Sequence, residues 1–267
     1  MGYGFRTYGG RIHWGSVIPP GIKLLVIVNA AVFLIQTLVR VFLETPGELA
    51  LLLWFGLVPH AVTHGLRIWQ PFTYLFLHGD LWHLLINMLV LWMFGSDIER
   101  YWGRRRFFQY YFLTGIGAGV LNVLIKALTD AGTLAQPLGP FARWSEIPTI
   151  GASGAIYGVL LAAAILFPDR RVLLFPFPVM LPMRIYVLIM GAIAFYGSLG
   201  APGDKVSHLT HLGGMLVGYI YLRRGSFLYR LRNRYSDWQR QRLRRKLEVY
   251  ARKHEGETPR RPDEWVN

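Results

Sequence analysis

Cysteine is absent from the 267 residues. Disulfides, thiolate zinc sites, iron–sulfur clusters and cysteine nucleophiles are excluded with it, and cysteine usage says nothing about the redox compartment. Charge is scarce as well: 16% of residues are Asp, Glu, Lys or Arg, against about 25% in a soluble domain. That is too little to coat a whole surface with water-facing groups. The shortage falls on acids, with 15 Asp+Glu against 29 Lys+Arg and a net charge of +14. Such a surplus suits either nucleic acid or an anionic membrane surface. What abounds is apolar, 53% hydrophobic and 15% aromatic, and a chain so rich in aromatics is not disordered.

The apolar residues fall into long runs. Six of them read as membrane-spanning helices, at roughly 22–43, 81–98, 107–128, 150–167, 183–200 and 207–222. A span needs about 20 mostly apolar residues, because a rise of ~1.5 Å per residue must cross ~30 Å of hydrocarbon. The first, third and fifth runs satisfy this. The second, fourth and sixth are shorter and hold His83, Asn87, Ser153 and His211, polar residues that mark function or helix–helix contact at such depth. No small-residue cleavage site follows the first run, so it is expected to be a retained helix. The expected fold class is all-α: a polytopic six-helix bundle with a long first extracytoplasmic loop.

Lys and Arg distribution orients the bundle. With both termini cytoplasmic, only Arg40, Arg67, Lys126, Arg143 and Lys205 fall outside. The expected organisation is a cytoplasmic segment 1–21, a membrane core 22–222 and a basic tail 223–267. In that tail Leu231, Tyr235 and Trp238, then Leu243, Leu247 and Tyr250, recur at helical spacing among 14 Lys+Arg and 6 Asp+Glu. A basic amphipathic helix directly after a span is expected to bind anionic lipid headgroups. The inside bias already accounts for the charge and no nucleic-acid recognition fold accompanies it, so no nucleic-acid partner is expected. The expected location is the plasma (inner) membrane.

Residues 44–80 form an unusually long connection. It contains LALLLWFGLV (49–58) and WQPFTYLFL (69–77), too short to span and rich in aromatics, as expected of segments lying in or dipping into the interface. Packing on the bundle and contact with lipid both remain open for this loop.

Helices two, four and six all run from outside to inside in this topology. His83 and Asn87, Ser153 and His211 lie about two to six residues into them, so at ~1.5 Å per residue they share one shallow layer. GASGAIYG places Gly151, Gly154 and Gly158 around Ser153, and HLGGMLVG places Gly213, Gly214 and Gly218 after His211. The Gly-x-x-x-Gly spacings allow close backbone approach, which would bring serine and histidine to hydrogen-bond distance. Ordinary helix packing uses the same spacing, and the glycines alone do not separate the two.

A serine hydroxyl needs a base, and a neutral imidazole serves near pH 7. The developing oxyanion needs donors: the Asn87 amide, a His83 ring N–H and the Ser153 backbone N–H. His83 and Asn87, four apart, share one helix face. Asp80, Asp130 and Asp204 sit in or beside loops, leaving no buried carboxylate to orient His211, so a dyad is expected in place of a triad.

GASG at Ser153, HLGGMLVG from His211 and HLLIN from His83 to Asn87 resemble the three signatures of rhomboid intramembrane serine proteases. FTYLFLHGDLWHLLINMLVLWMFGSDIERYWG (72–103) is similar to that family's loop-one-to-helix-two region. The resemblance spans roughly 20–222. It implies Ser153 as nucleophile and His211 as base, with His83, Asn87 and the Ser153 backbone as oxyanion hole, supported by Gly151, Gly154 and Gly214. Tyr157 matches an aromatic placed against the catalytic imidazole, although an ordinary core tyrosine fits the spacing equally. Trp69 and His78 match structural or substrate-facing loop positions, and Glu99 with Arg100 matches a pair tying helix two to its neighbours. The implied substrates are single-span transmembrane proteins, cleaved near the extracytoplasmic side, in contact with membrane lipids.

No cofactor or metal is expected. His60/His64 and His208/His211 lack the HExxH pattern and a third ligand at motif spacing. The alternative function is a catalytically inactive rhomboid-like binder or escort of membrane helices, which would lack nucleophile or base. A transporter would need a continuous polar path, whereas the cytoplasmic halves of helices two, four and six read as sealed.

Overall fold

The computed structural model describes residues 18–132, 144–174, 179–199 and 208–223. Two compact units divide the chain, Met1–Ile220 and Tyr221–Asn267, and the bundle and its site belong to the first. The expected N-terminal segment, apart from its last residues, and the amphipathic tail helix at 226–254 lie outside the described residues.

The bundle begins with α1 (Pro20–Phe42), which opens on proline, a residue whose fixed φ suits the first helical turn. Its first free N–H groups are taken by a carboxylate from another helix: Glu99 accepts from Gly21 N–H and Ile22 N–H, each at 2.8 Å. The expected tie from helix two to its neighbours is therefore made by Glu99 to backbone. Arg100 instead reaches back along its own helix to Asp97 at 3.4 Å.

The first loop is folded. It comprises α2 (Glu44–Phe55), α3 (Pro59–Thr63) and α4 (Gln70–Thr73), followed by a tight turn at Tyr74–Phe76. The last carbonyls of α2 would be orphaned, and loop side chains satisfy them. Arg67 and Gln70 donate to Leu53 O at 2.7 and 2.8 Å, Trp69 Nε1 to Trp54 O at 2.9 Å, and Thr73 to Phe55 O at 2.7 Å. Trp69 also stacks on Trp54 at 6.1 Å, so its role includes holding this loop together. Gln36 of α1 exchanges hydrogen bonds with the His78 backbone at 3.0 and 3.2 Å, anchoring the end of the loop. No residue of α2 is buried.

The second expected span is longer than predicted, a continuous rod Leu81–Trp102. It is made of α5 (Leu81–Val90), a π-helical turn at Leu91–Gly95 and α6 (Ser96–Trp102). After Gly103 comes α7 (Arg104–Gly132), then α8 (Ser153–Leu166), an antiparallel hairpin of β1 (Arg171–Leu174) and β2 (Val179–Pro182), and α9 (Met183–Leu199). The last described helix, α10, covers 208–223. Three helices, Pro20–Phe42, Leu81–Trp102 and Arg104–Leu128, are long and apolar enough to cross a membrane, and α8 and α9 are shorter apolar helices. The expected all-α polytopic class holds, with the small hairpin as an addition the sequence did not announce.

Central α8 buries nine of its 14 residues, which explains how so short a helix is stable: its surroundings are protein. Leu24, Ile27, Leu34, Ile35 and Leu38 of α1 and Leu188, Ile193 and Phe195 of α9 are exposed. Such apolar outer faces suit a solvent of lipid chains.

Candidate active site

Ser153 is the first residue of α8, and the fourth span starts there instead of at 150. The chain enters it through Gly151 at φ +119°, a conformation open to glycine and strained for any other residue. The strand before it is clamped. Thr149 exchanges both backbone hydrogen bonds with Leu57 at 2.9 Å, and Gly151 N–H donates to Tyr74 O at 2.9 Å. The first loop thereby fixes the approach to α8. As in any α-helix, the first N–H groups of α8 have no partner inside it and face that end.

His211 Nε2 lies 2.8 Å from Ser153 Oγ. With Nε2 accepting the hydroxyl proton, the imidazole carries its hydrogen on Nδ1. That nitrogen is buried with no hydrogen-bond partner, so no carboxylate among the described residues orients the ring. Tyr157 does so by contact: the two rings stack at 4.2 Å and 6°, within the range of favourable offset stacking. Of the two readings left open for Tyr157, the one beside the imidazole is the observed one.

The glycines expected to let helices approach do so in pairs. A Cβ on Gly214 of α10 would overlap the Gly154 carbonyl of α8, and one on Gly218 would lie 3.5 Å from Gly158 Cα. Asn122 of α7 donates to Thr210 Oγ1 at 3.0 Å, holding the helix that carries His211 from its other side.

His83 and Asn87 come from α5. A Cβ on Gly151 would lie 2.8 Å from His83 Nε2 and 3.8 Å from Asn87 Nδ2, so both side chains stand beside the turn that carries Ser153. Gly79 N–H donates to His83 Nδ1 at 3.4 Å. That direction leaves the ring hydrogen on Nε2, the nitrogen nearer Gly151. Asn87 is 6% exposed, and its Nδ2 is buried without an acceptor.

One residue with a part here escaped the sequence reading, and His78, expected there as a structural or substrate-facing position, packs beside His83. Asp80, read there only as a loop aspartate, caps α5 by accepting from His83 N–H at 2.8 Å, and an Asp just before an apolar helix was the available signal. His78 packs edge-on against His83 at 5.1 Å. It is fully buried, and burial first, then the neighbouring His83, push its pKa down to about 4. No group of three or more His, Cys, Asp or Glu able to hold a metal occurs among the described residues. His60 and His64 stack on each other at 4.4 Å in the first loop.

A family model described as Rhomboid domain matches residues 65–226. The chain belongs to the rhomboid family. Its relatives include Rhomboid protein 1, mitochondrial, of Saccharomyces cerevisiae, 31% identical over 147 residues, 55% of this chain and 38% of that one. Presenilin-associated rhomboid-like protein, mitochondrial, of Homo sapiens is 32% identical over 154 residues, 56% and 36% of the two chains. RHOMBOID-like protein 12, mitochondrial, of Arabidopsis thaliana is 30% identical over 168 residues, 61% and 49%. The match covers less than half the length of each of these relatives. Rhomboids are membrane proteins, generally intramembrane serine proteases, working on transmembrane helices within lipid. These relatives correct one expectation. All three are mitochondrial by name, and they point to a mitochondrial membrane in place of the plasma membrane. Charge asymmetry orients a bundle but carries no label for the membrane that holds it.

Proposed function

We infer that this rhomboid is an intramembrane serine endopeptidase that cleaves transmembrane segments of other membrane proteins near the side of its first loop. The observation that carries this reading is the 2.8 Å contact between His211 Nε2 and Ser153 Oγ, with Tyr157 stacked on the imidazole. Its protease core is residues 22–222, flanked by 1–21 and 223–267.

In the first step Oγ bonds to the scissile carbonyl carbon and its proton passes to His211 Nε2. The carbonyl oxygen becomes an oxyanion, for which Asn87 Nδ2, His83 Nε2–H and the Ser153 backbone N–H are the available donors. Collapse breaks the C–N bond, and the Nε2 proton leaves with the amine. Water then attacks the acyl carbon and gives its proton to Nε2; the C–Oγ bond breaks, and the Nε2 proton returns to Oγ as the acid leaves. A helical amide is shielded by its own turn, so substrates whose helices unwind locally are favoured.

Purified protein, given a single-span substrate, should cleave it and should react with a serine-directed phosphonate. Ser153→Ala should abolish both, and His211→Ala should remove cleavage. Turnover that persists in Ser153→Ala would sink the mechanism and leave the inactive-binder alternative standing.

A further inference from the structure

Between α8 and α9 the chain leaves the helical bundle as a two-stranded hairpin, in which Arg171 faces Pro182, Val172 faces Leu181 and Leu173 faces Met180. Alternation gives such a ribbon two faces. Val172 is 5% exposed and packs inward near the base of the ribbon, while Leu173 and Met180, paired on the opposite face, are each 47% exposed, as is Val179 farther out on the Val172 face. Arg171 shares that outward face, is exposed, and has no ion-pair partner among the described residues. Arg184, two residues beyond the second strand, reaches only the highly exposed Asp169, at 3.6 Å.

The hairpin is moored. Arg170 pairs with Asp97 of α6, and Phe167 packs edge-on against Tyr101 at 5.8 Å. The ion pair with Asp97 commits Arg170 to the fold, where burial lowers its pKa. The same end of the bundle carries Arg100, Arg104, Arg105 and Arg106, with Arg106 lying over the Trp102 ring at 4.8 Å. Because the hairpin joins the ends of two apolar helices in a membrane protein, it sits at the boundary between lipid and water. Aromatic rings and arginines are the residues such a boundary collects.

We propose that this hairpin is an interfacial anchor that binds anionic phospholipid. Leu173 and Met180 enter the shallow acyl region, and Arg171 and Arg184 hold headgroup phosphodiesters. Charge complementarity selects the occupant: an apolar pair flanked by the Arg171 guanidinium, unpaired among the described residues, and by Arg184, whose carboxylate partner is itself highly exposed, matches acyl chain below and phosphate above. A water-facing ribbon would gain nothing from keeping two large apolar side chains exposed.

The lack of native cysteine makes the test direct. A nitroxide placed through Met180→Cys is read for depth, by its relative accessibility to oxygen and to a soluble nickel complex, at one copy per nanodisc. One set of discs is phosphatidylcholine, and the other contains one-third phosphatidylglycerol. The label should read as immersed in both and deeper with phosphatidylglycerol. Arg171→Gln with Arg184→Gln should remove the lipid-dependent change and weaken binding of a fluorescent phosphatidylglycerol by about fivefold per arginine. The paired lysine substitutions should keep most of it. A water-exposed label in both lipids overturns the anchor. Depth indifferent to phosphatidylglycerol overturns headgroup binding, and immersion seen only with two copies per disc makes a second copy the occupant. Should the glutamine variant fail to fold, the two lipid compositions on the otherwise unaltered protein still decide.

Discussion

A buried amide donor without an acceptor costs about 1–3 kcal/mol, and Asn87 Nδ2 is such a donor. Its position beside Gly151 gives the cost a use, because an oxyanion forming at Ser153 would supply the acceptor. Asn87→Ala should therefore lower kcat by about 10²–10³ while the thermal midpoint holds or rises. Unchanged turnover in steady-state cleavage would remove Asn87 from the mechanism. His78 yields a pH prediction. Its folded pKa of about 4 lies below the ordinary value near 6.5, so the unfolded chain binds the extra proton first. Stability is then complete above about pH 6.5 and falls as pH drops toward 4, by about 3 kcal/mol for this group. Thermal unfolding in detergent at pH 7.5 and 4.5 should show the loss, and His78→Gln should reduce it. At this scale Ser153, His211 and Asn87 were legible because polar residues in apolar runs are conspicuous. Asp80 was not, since nothing distinguishes a capping aspartate until the chain turns around it, and His78 was marked only by the family resemblance, as a structural or substrate-facing position.

At the scale of elements, the distance between Ser153 and His211 depends on how closely α8 and α10 approach. Gly214→Ala would drive a methyl into the Gly154 carbonyl, backbone against backbone, whereas the same change at Gly213 meets Ala118 Cα at 3.3 Å. The first should cost about 1–3 kcal/mol or more and nearly abolish phosphonate labelling of Ser153. Gly213→Ala should keep most of both, and equal effects would disprove a special contact at Gly214. Glu99 offers a second case. Glu99→Gln retains one acceptor for the two N–H groups opening α1, so unfolding should become easier by about 1–3 kcal/mol. Equal melting temperatures for the two proteins would show that the cap contributes nothing. Six apolar runs gave the major helices because long runs have few alternatives. The helix α2 was harder to read, since with no residue buried it has no inward stripe to set a period. The hairpin was missed because RVLLFPFPVMLP carries its prolines within a short apolar stretch, where periodicity does not separate strand from connection.

Across the whole molecule, the surplus of basic residues divides between the described bundle and a tail that holds 14 Lys+Arg against 6 Asp+Glu from residue 223 onward. The short layer holding Ser153 and His211 and the basic ends of the helices are different regions of the protein, so docking to lipid and peptide cleavage should be separable. At about 1 kcal/mol per basic residue near an anionic surface, removal of 226–267 should weaken the association of the detergent-solubilised protein with phosphatidylglycerol vesicles by at least a hundredfold. The same truncation should leave phosphonate labelling of Ser153 close to that of the full chain, because the contacts among the described residues that place His211 beside Ser153 come from residues before 226. Since tail and hairpin are both proposed to bind the same class of lipid, their losses should add when the truncation is combined with Arg171→Gln and Arg184→Gln. Two groups acting on separate patches of surface are additive, whereas a shared binding site would make the second loss small. A truncated protein that stays folded but loses phosphonate labelling would instead tie the tail to the chemistry.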